Sequence, residues 1–210
     1  MKRIRVAVID DHGVVRMGLK FTLSLFKDIE YAGECADGAA AADFVERTNP
    51  DVTLLDIRMP GRDGIAALGE ILARRPSAKV IMLTTSALEE DVYRSIKAGA
   101  KGYVLKDRDT ENIVKAVRAV AEGGTYFPAE IQSIFKAREA EPELTETEIE
   151  GLALLAQGMT NKAIAAKLGI SEDAVKVRLK HAYEKLGVSD RAGAIARAIR
   201  KGLAKPEGVS

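Results

Sequence analysis

Ile4-Arg5-Val6-Ala7-Val8-Ile9 runs straight into Asp10-Asp11, and Val52-Thr53-Leu54-Leu55 runs straight into Asp56. A short apolar run that stops at a carboxylate is the pattern of a strand buried in a parallel sheet, with its chemistry at the C-terminal edge. If the two strands lie side by side, three carboxylates converge on one spot. Like charges that close cannot all stay ionised without a counter-charge. A hard divalent cation with oxygen ligands, Mg²⁺, is the natural one. A third run, Gly102 to Leu105, ends at Lys106, which brings one basic side chain to the same edge.

Working outward, apolar runs alternate with amphipathic segments up to about residue 123. Strands are predicted at 4–9, 31–35, 52–55, 79–83 and 102–105. Helices are predicted near 13–26, 38–48, 64–74, 89–98 and 110–122. That alternation with short loops predicts an α/β domain, a five-stranded parallel sheet doubly wound in the flavodoxin-like manner, with helices on both faces. Ligands bind such folds at the C-terminal strand edge, where the acids and the lysine fall. Gly123-Gly124, Pro128 and the charged stretch Lys136 to Glu143 mark a boundary. The expected domains are residues 1–123 and 142–210, joined by a linker over 124–141 in which 128–140 has a composition compatible with a helix.

Composition narrows the classes. The chain has 210 residues, 47% of them hydrophobic, which suits one large or two small domains. A formal net charge of +1 gives no bulk attraction to nucleic acid or membrane. Cys35 is the single cysteine, so no intramolecular disulfide forms. Its apolar surroundings suggest a buried structural thiol in a reducing compartment. No apolar run approaches the ~18 residues of a membrane span. The first strand begins at once, leaving no room for a signal peptide, so a cytoplasmic location is expected.

The segment after the third carboxylate reads Ile57-Arg58-Met59-Pro60-Gly61, then Asp63-Gly64. Pro60 and Gly61 force a turn directly behind the acid. Thr84 ends the run Val80 to Leu83, and Lys106-Asp107 follows Gly102-Tyr103-Val104-Leu105. Over residues 1 to about 123 the sequence strongly resembles the CheY-like receiver domain of bacterial response regulators. The resemblance implies that Asp56 accepts a phosphoryl group from a sensor histidine kinase. It implies Mg²⁺ held by Asp11, Asp56 and the backbone carbonyl of Arg58, with Asp10 helping directly or through water. Lys106 would pair with the phosphoryl oxygens and Thr84 would donate its hydroxyl to them, with Thr85 the alternative for that role. Tyr103 would move inward with Thr84. Arg58 and Ser86 stand where receivers tune phosphoryl lifetime, and His12 reads as a surface or capping residue. The chemistry agrees: a carboxylate can be the nucleophile in phosphoryl transfer, and the rest of catalysis is positioning and charge stabilisation. An aspartyl-nucleophile hydrolase is disfavoured because Arg58 stands where those enzymes carry a second aspartate.

The second half is all helical in pattern. Thr145 and Glu148 form a capping box, and the helix it starts buries Ile149, Leu152 and Leu155 before stopping near Gly158. Helices follow at about 161–168, ended by Gly169, at 172–186, capped by Ser171 and ended by Gly187, and at 190–201. Two of them joined by a short glycine turn make a helix-turn-helix inside a small four-helix unit. On the third helix Val175, Leu179, Ala182 and Leu186 face inward, leaving Val177, Lys180 and His181 outward and Lys176 on the shoulder. An outward valine suits a major groove, where thymine offers a methyl. Residues 160–205 hold eleven Lys and Arg against four Asp and Glu, a local surplus that fits a phosphate-binding surface.

Residues 142 to 203 resemble the LuxR-type DNA-binding domain, through Leu144, Thr145, Glu148, Asn161, Val175, Lys176, Lys185, Leu186 and Arg191 among others. With the receiver this is the layout of the NarL/FixJ family. The resemblance implies that Lys176, Val177 and Lys180 face base edges or nearby backbone, and that Asn161, Arg178 and His181 are further contacts. It also implies a homodimer on phosphorylation that reads a two-fold related double-stranded site, a transcription regulator and not a turnover enzyme. The alternative is a phosphorylation-independent DNA-binding regulator whose receiver serves only dimerisation. Ala174 and Arg178 replace the family's usual threonine and histidine, so the operator does not carry over. Gly151 in a helix interior costs roughly 1 kcal/mol relative to alanine.

Overall fold

The computed structural model describes residues 3–85, 87–106 and 110–204; Ser86 and Asp107 lie outside them. By contacts the chain divides into two units, Met1–Ala87 with Asp91–Ile134, and Leu88–Glu90 with Phe135–Ser210.

In the first unit the apolar runs form strands β1 (Ile4–Ile9), β2 (Ile29–Cys35), β3 (Val52–Asp56), β4 (Val80–Thr84) and β5 (Gly102–Leu105). They pair in parallel in the order β2-β1-β3-β4-β5. This is the flavodoxin-like order, and its switch point lies between β1 and β3. Between the strands run α1 (Gly13–Ser24), α2 (Ala41–Thr48), α3 (Gly64–Arg74), α4 (Glu89–Lys97) and α5 (Thr110–Ala121). β3 and β4 are buried at every position, as continuous apolar strands covered on both faces must be. Val6, Val8, Leu54, Ile81, Leu83 and Val104 of the sheet pack with Leu19, Leu23, Val114 and Val117 of the helices. Each such aliphatic side chain contributes roughly 1.5–3 kcal/mol on full burial.

Three details depart from the sequence reading. β2 starts at Ile29, two residues earlier than expected, because Ile29 is buried and pairs with Ile4. α2 is entered through a single 3₁₀ turn, Gly38–Ala40, capped by Asp37. Cys35 is half-buried rather than enclosed, because β2 is an edge strand; its thiol donates to the Asp37 carbonyl at 3.3 Å.

The other sheet edge is covered by the chain itself. Tyr126 N–H donates to Lys101 O at 2.9 Å, and Tyr103 N–H donates to Tyr126 O at 3.0 Å. That bracket satisfies backbone groups an edge strand would leave open. Helix α6 (Ala129–Glu139) follows, with Ile131 buried.

The second unit carries α7 (Glu146–Ala156), α8 (Asn161–Leu168), α9 (Glu172–Leu186) and α10 (Arg191–Arg200). Their starts are set by side-chain caps at Thr145, Thr160, Ser171 and Asp190. α8 and α9 end on left-handed glycines, Gly169 and Gly187. Leu152, Leu155, Ile164, Val175, Leu179 and Ala182 form its core.

Candidate functional sites

Parallel pairing brings the ends of four strands to one edge. Ile9 pairs with Leu55, Asp56 with Leu83 and Thr84 with Leu105. Asp10, Asp56, Thr84 and Lys106 therefore meet at the C-terminal edge beside the switch point. Asp10, Asp56 and Thr84 are essentially without solvent exposure.

Each buried acid divides its two oxygens. Asp10 Oδ1 accepts the His12 N–H at 2.9 Å and Asp56 Oδ1 accepts the Arg58 N–H at 3.2 Å. These bonds tie each carboxylate to the loop that follows it. The opposite oxygens, Asp10 Oδ2 and Asp56 Oδ2, lie 2.7 and 2.8 Å from Lys106 Nζ. Asp10 Oδ2, Asp11 Oδ1 and Asp56 Oδ2 are buried with no aligned hydrogen bond, so the lysine meets its two as ion-pair contacts. Candidate ligand atoms of Asp10, Asp11, His12 and Asp56 all lie within 4.8 Å of one another. Three carboxylates against one ammonium leave a negative surplus in a buried place. Burial raises the Asp56 carboxyl above its ordinary value; Lys106 opposes the rise and the charge of Asp10 adds to it. Hard carboxylate oxygens with surplus negative charge are the donor set a small divalent cation takes.

The surrounding loops hold this geometry. Asp63 caps α3 by accepting the Ile65 N–H at 3.0 Å, and Gly64 N–H donates to Ile57 O at 3.0 Å. A Cβ on Gly64 would sit 1.9 Å from the Asp56 carbonyl oxygen, so only glycine lets α3 start against the acid's own backbone. The Arg58 guanidinium pairs with Asp91 on α4. Thr84 is enclosed at the end of β4, whereas Thr85 is exposed. Tyr103 is fully buried. Burial, then the nearby charge of Asp91, pushes its phenol above the ordinary tyrosine value. The His12 ring is mostly exposed, with Nδ1 2.9 Å from Asp11 Oδ1.

On the second unit, α9 buries Val175, Leu179, Ala182 and Leu186 and exposes Val177 to 54%. Lys176, Lys180 and His181 are exposed, and Arg178 and Asn161 are half-exposed. Asn161 stands apart from the others, as the first residue of α8. Lys176 Nζ lies 3.1 Å from Asp173 and 3.6 Å from Glu172; Lys180 lies 3.9 Å from Glu184. Ala174, Val177, Arg178 and His181 of α9 line a shallow groove with Thr145 and Thr147 at the start of α7. Gly151 sits where α7 crosses α9: a methyl there would meet Leu179 Cδ2 at 3.4 Å, ordinary contact that leaves no room for a larger side chain.

Sequence reasoning missed the pairings that brace these sites. Arg16 holds the loop of the acid pair, Asp91 anchors Arg58, and Lys185 reaches Glu148 at 2.8 Å. Each pairing joins residues from different elements, and no local spacing announces it.

Comparison with known proteins finds two matching regions. Residues 6–118 match the response regulator receiver domain, and residues 142–198 match the luxR family of bacterial regulatory proteins. The nitrate/nitrite response regulator NarP of Escherichia coli K12 is 40% identical over 197 residues, covering 90% of this chain and 92% of its own. Among solved structures, the response regulator ChrA of a heme-sensing two-component system is 40% identical, with a TM-score of 0.57, covering 97% of this chain and all of ChrA. RcsB of Salmonella enterica serovar Typhimurium, bound to promoter P1flhDC in the presence of the phosphomimetic BeF3⁻, is 26% identical with a TM-score of 0.74, covering 95% of this chain and 99% of RcsB.

Proposed function

The chain belongs to the two-component response regulators that join a receiver to a LuxR-type DNA-binding domain, and from that premise we propose that Asp56 is its phosphoacceptor and that phosphorylation controls dimerisation and transcription. The observation that carries the reading is the meeting of Lys106 Nζ with Asp10 Oδ2 and Asp56 Oδ2 at 2.7 and 2.8 Å at the sheet's C-terminal edge. The Asp56 carboxylate attacks the phosphorus of a kinase phosphohistidine; the P–N bond breaks and the imidazole leaves. Asp11, Asp56 and the Arg58 carbonyl, with Asp10 directly or through water, would hold Mg²⁺, which would supply positive charge to the phosphoryl oxygens. Lys106 exchanges its Asp56 contact for a phosphoryl oxygen, and the enclosed Thr84 hydroxyl donates to another. The receiver promotes this transfer and the later hydrolysis on itself and turns over no separate substrate.

Downstream, the phosphoryl charge biases a two-state element that runs from Thr84 to Tyr103 and the adjoining helices. The activated chain dimerises and binds a two-fold related DNA site through Lys176, Val177 and Lys180, with Asn161, Arg178 and His181 around them. RcsB, bound to a promoter with a phosphomimetic, supports that reading. We place this activity in the cytoplasm; among the described residues no helix is long and apolar enough to cross a membrane.

The test is labelling by acetyl phosphate, together with DNA binding and mass in solution, with and without beryllofluoride and Mg²⁺. Wild type is expected to label, dimerise and bind DNA more tightly, and Asp56→Ala to do none of these. Stoichiometric labelling of Asp56→Ala would reject Asp56 as the acceptor. The alternative reading is a DNA-binding regulator independent of phosphorylation, whose receiver serves only dimerisation. Identical DNA binding by both proteins in all conditions would select it.

A further inference from the structure

Arg16 lies in the first turn of α1, directly behind the loop that carries Asp10 and Asp11, and its side chain is only 16% exposed. Its Nη1 donates to the carbonyl oxygens of both Asp10 and Asp11, at 2.7 and 3.0 Å. Its Nε donates to Glu34 Oε1 at 3.2 Å on β2. The other Glu34 oxygen accepts the Tyr31 hydroxyl at 2.6 Å. Tyr31 in turn lies under the Lys20 ammonium, 5.6 Å from its ring centre. One planar fork thus spans a helix, a loop and the neighbouring strand.

The consequence is geometric. Two consecutive carbonyls gripped by one nitrogen point to the same side, toward α1. That fixes the peptide planes on both sides of Asp11, and with them the direction in which the Asp10 and Asp11 carboxylates leave the backbone. The Asp10 bond to His12 N–H fixes the next turn of the same loop. A loop carrying two adjacent acids repels itself, and a guanidinium behind it offsets part of that repulsion while leaving the carboxylate oxygens free. Arginine is suited to this and lysine is not, because a single ammonium cannot reproduce the fixed fork to two carbonyls and a carboxylate.

We infer that Arg16, braced by Glu34 and Tyr31, is a positioning residue that holds the Asp10–Asp11 loop in its cation-binding form. The inference rests on the reading of the acidic pocket as a Mg²⁺ site. Residues behind the ligands of a metal set ligand direction, and their loss typically weakens binding by roughly ten-fold or more.

The test titrates Mg²⁺ into the full-length protein, read by amide chemical shifts, for wild type, Arg16→Lys, Arg16→Gln, Glu34→Gln and Asp11→Asn. Both Arg16 variants are expected to bind Mg²⁺ about ten-fold more weakly, and Glu34→Gln to shift the same way by less. Labelling by acetyl phosphate should recover toward the wild-type rate when Mg²⁺ is raised in proportion, which a general loss of structure would not allow. Wild-type affinity in Arg16→Lys would overturn the inference, because charge alone would then suffice. If Arg16 substitution prevents folding, Glu34→Gln decides: unchanged affinity there refutes the brace. Asp11→Asn separates the levels. Equal Mg²⁺ affinity in wild type and Asp11→Asn defeats the metal reading and the inference with it, whereas loss in Asp11→Asn with wild-type affinity in the Arg16 variants defeats the inference alone.

Discussion

Asp56 is held in a condition that is costly without a cation. Its backbone carbonyl is pressed against Gly64, its Oδ1 is engaged by the Arg58 N–H, and its Oδ2 has one lysine shared with Asp10. Burial lifts its carboxyl above 3.8, Lys106 pulls it back, and Asp10 pushes it up again. A folded-state value above the unfolded one means the folded chain holds this proton more tightly. The associated stability is complete below 3.8 and is lost as pH rises through the folded value. Above that range the charged carboxylate is a net penalty in the metal-free protein. Asp56→Asn removes the charge and keeps the shape. In EDTA at pH 7 the variant should therefore be more stable by about 1 kcal/mol, a shift of a few degrees in a domain of this size. The gain should fade as the pH approaches 4. Mg²⁺ should then raise the melting temperature of wild type more than that of the variant. Thermal unfolding between pH 4 and 8 checks this, and a variant less stable than wild type at pH 7 would mean the Lys106 pairing outweighs burial.

At the scale of elements, α7 and α9 are joined by one buried charge. Glu148 accepts the Thr145 N–H at 2.7 Å to close the capping box, and the same oxygen lies 2.8 Å from Lys185 Nζ. Burial pushes the Glu148 carboxyl up, but Lys185 and the Thr145 donors more than offset it, and the carboxyl sits below 4.5. A lowered folded-state value means stability that is present above 4.5 and lost as pH falls through the folded value. Lys185→Met keeps the packing and strands the carboxylate, which should cost the second unit about 1–3 kcal/mol at pH 7 and less near pH 4. Hydrogen exchange of the α7 and α9 amides in the full-length protein reads this directly; unchanged protection would make the pair a surface ornament. The same elements mark what sequence can disclose. Strand ends at Asp10, Asp56 and Lys106, the caps Thr145 and Ser171, and the stops Gly169 and Gly187 are local chemistry, and their residue types are legible in order along the chain. The pairings Arg58–Asp91 and Lys185–Glu148 span 33 and 37 residues. Such contacts carry no periodicity, because they depend on which side chains the fold makes neighbours. Cys35 misled for a related reason: its run is apolar enough for a core, but its strand lies at the sheet edge, which only the topology decides.

At the scale of the whole molecule, charge is divided unevenly. The net charge is +1, while residues 160–205 carry eleven basic against four acidic residues, so the rest of the chain is acidic. Attraction to phosphates therefore resides in that basic stretch; the acidic surplus sits just before it, in the six glutamates of residues 139–150, while residues 1–123 carry nineteen basic and nineteen acidic residues and add no net charge. Each phosphate neutralised on binding duplex DNA lowers the logarithm of the affinity by about 0.9 per unit logarithm of salt. A protein that engages a two-fold site as a dimer neutralises twice the phosphates of a single chain on half a site. With beryllofluoride and fixed Mg²⁺, and a duplex selected from a random pool, the KCl dependence on the full site should be about twice as steep as on an isolated half-site. Asp56→Ala should keep the shallower slope on both. Lys180→Ala should then reduce the full-site slope by about two, one for each protomer, if its ammonium meets a phosphate. A change in affinity at constant slope would instead put Lys180 against a base edge. Equal slopes for wild type on full and half sites would mean that phosphorylation does not control DNA binding by pairing two chains, and that the receiver acts within one.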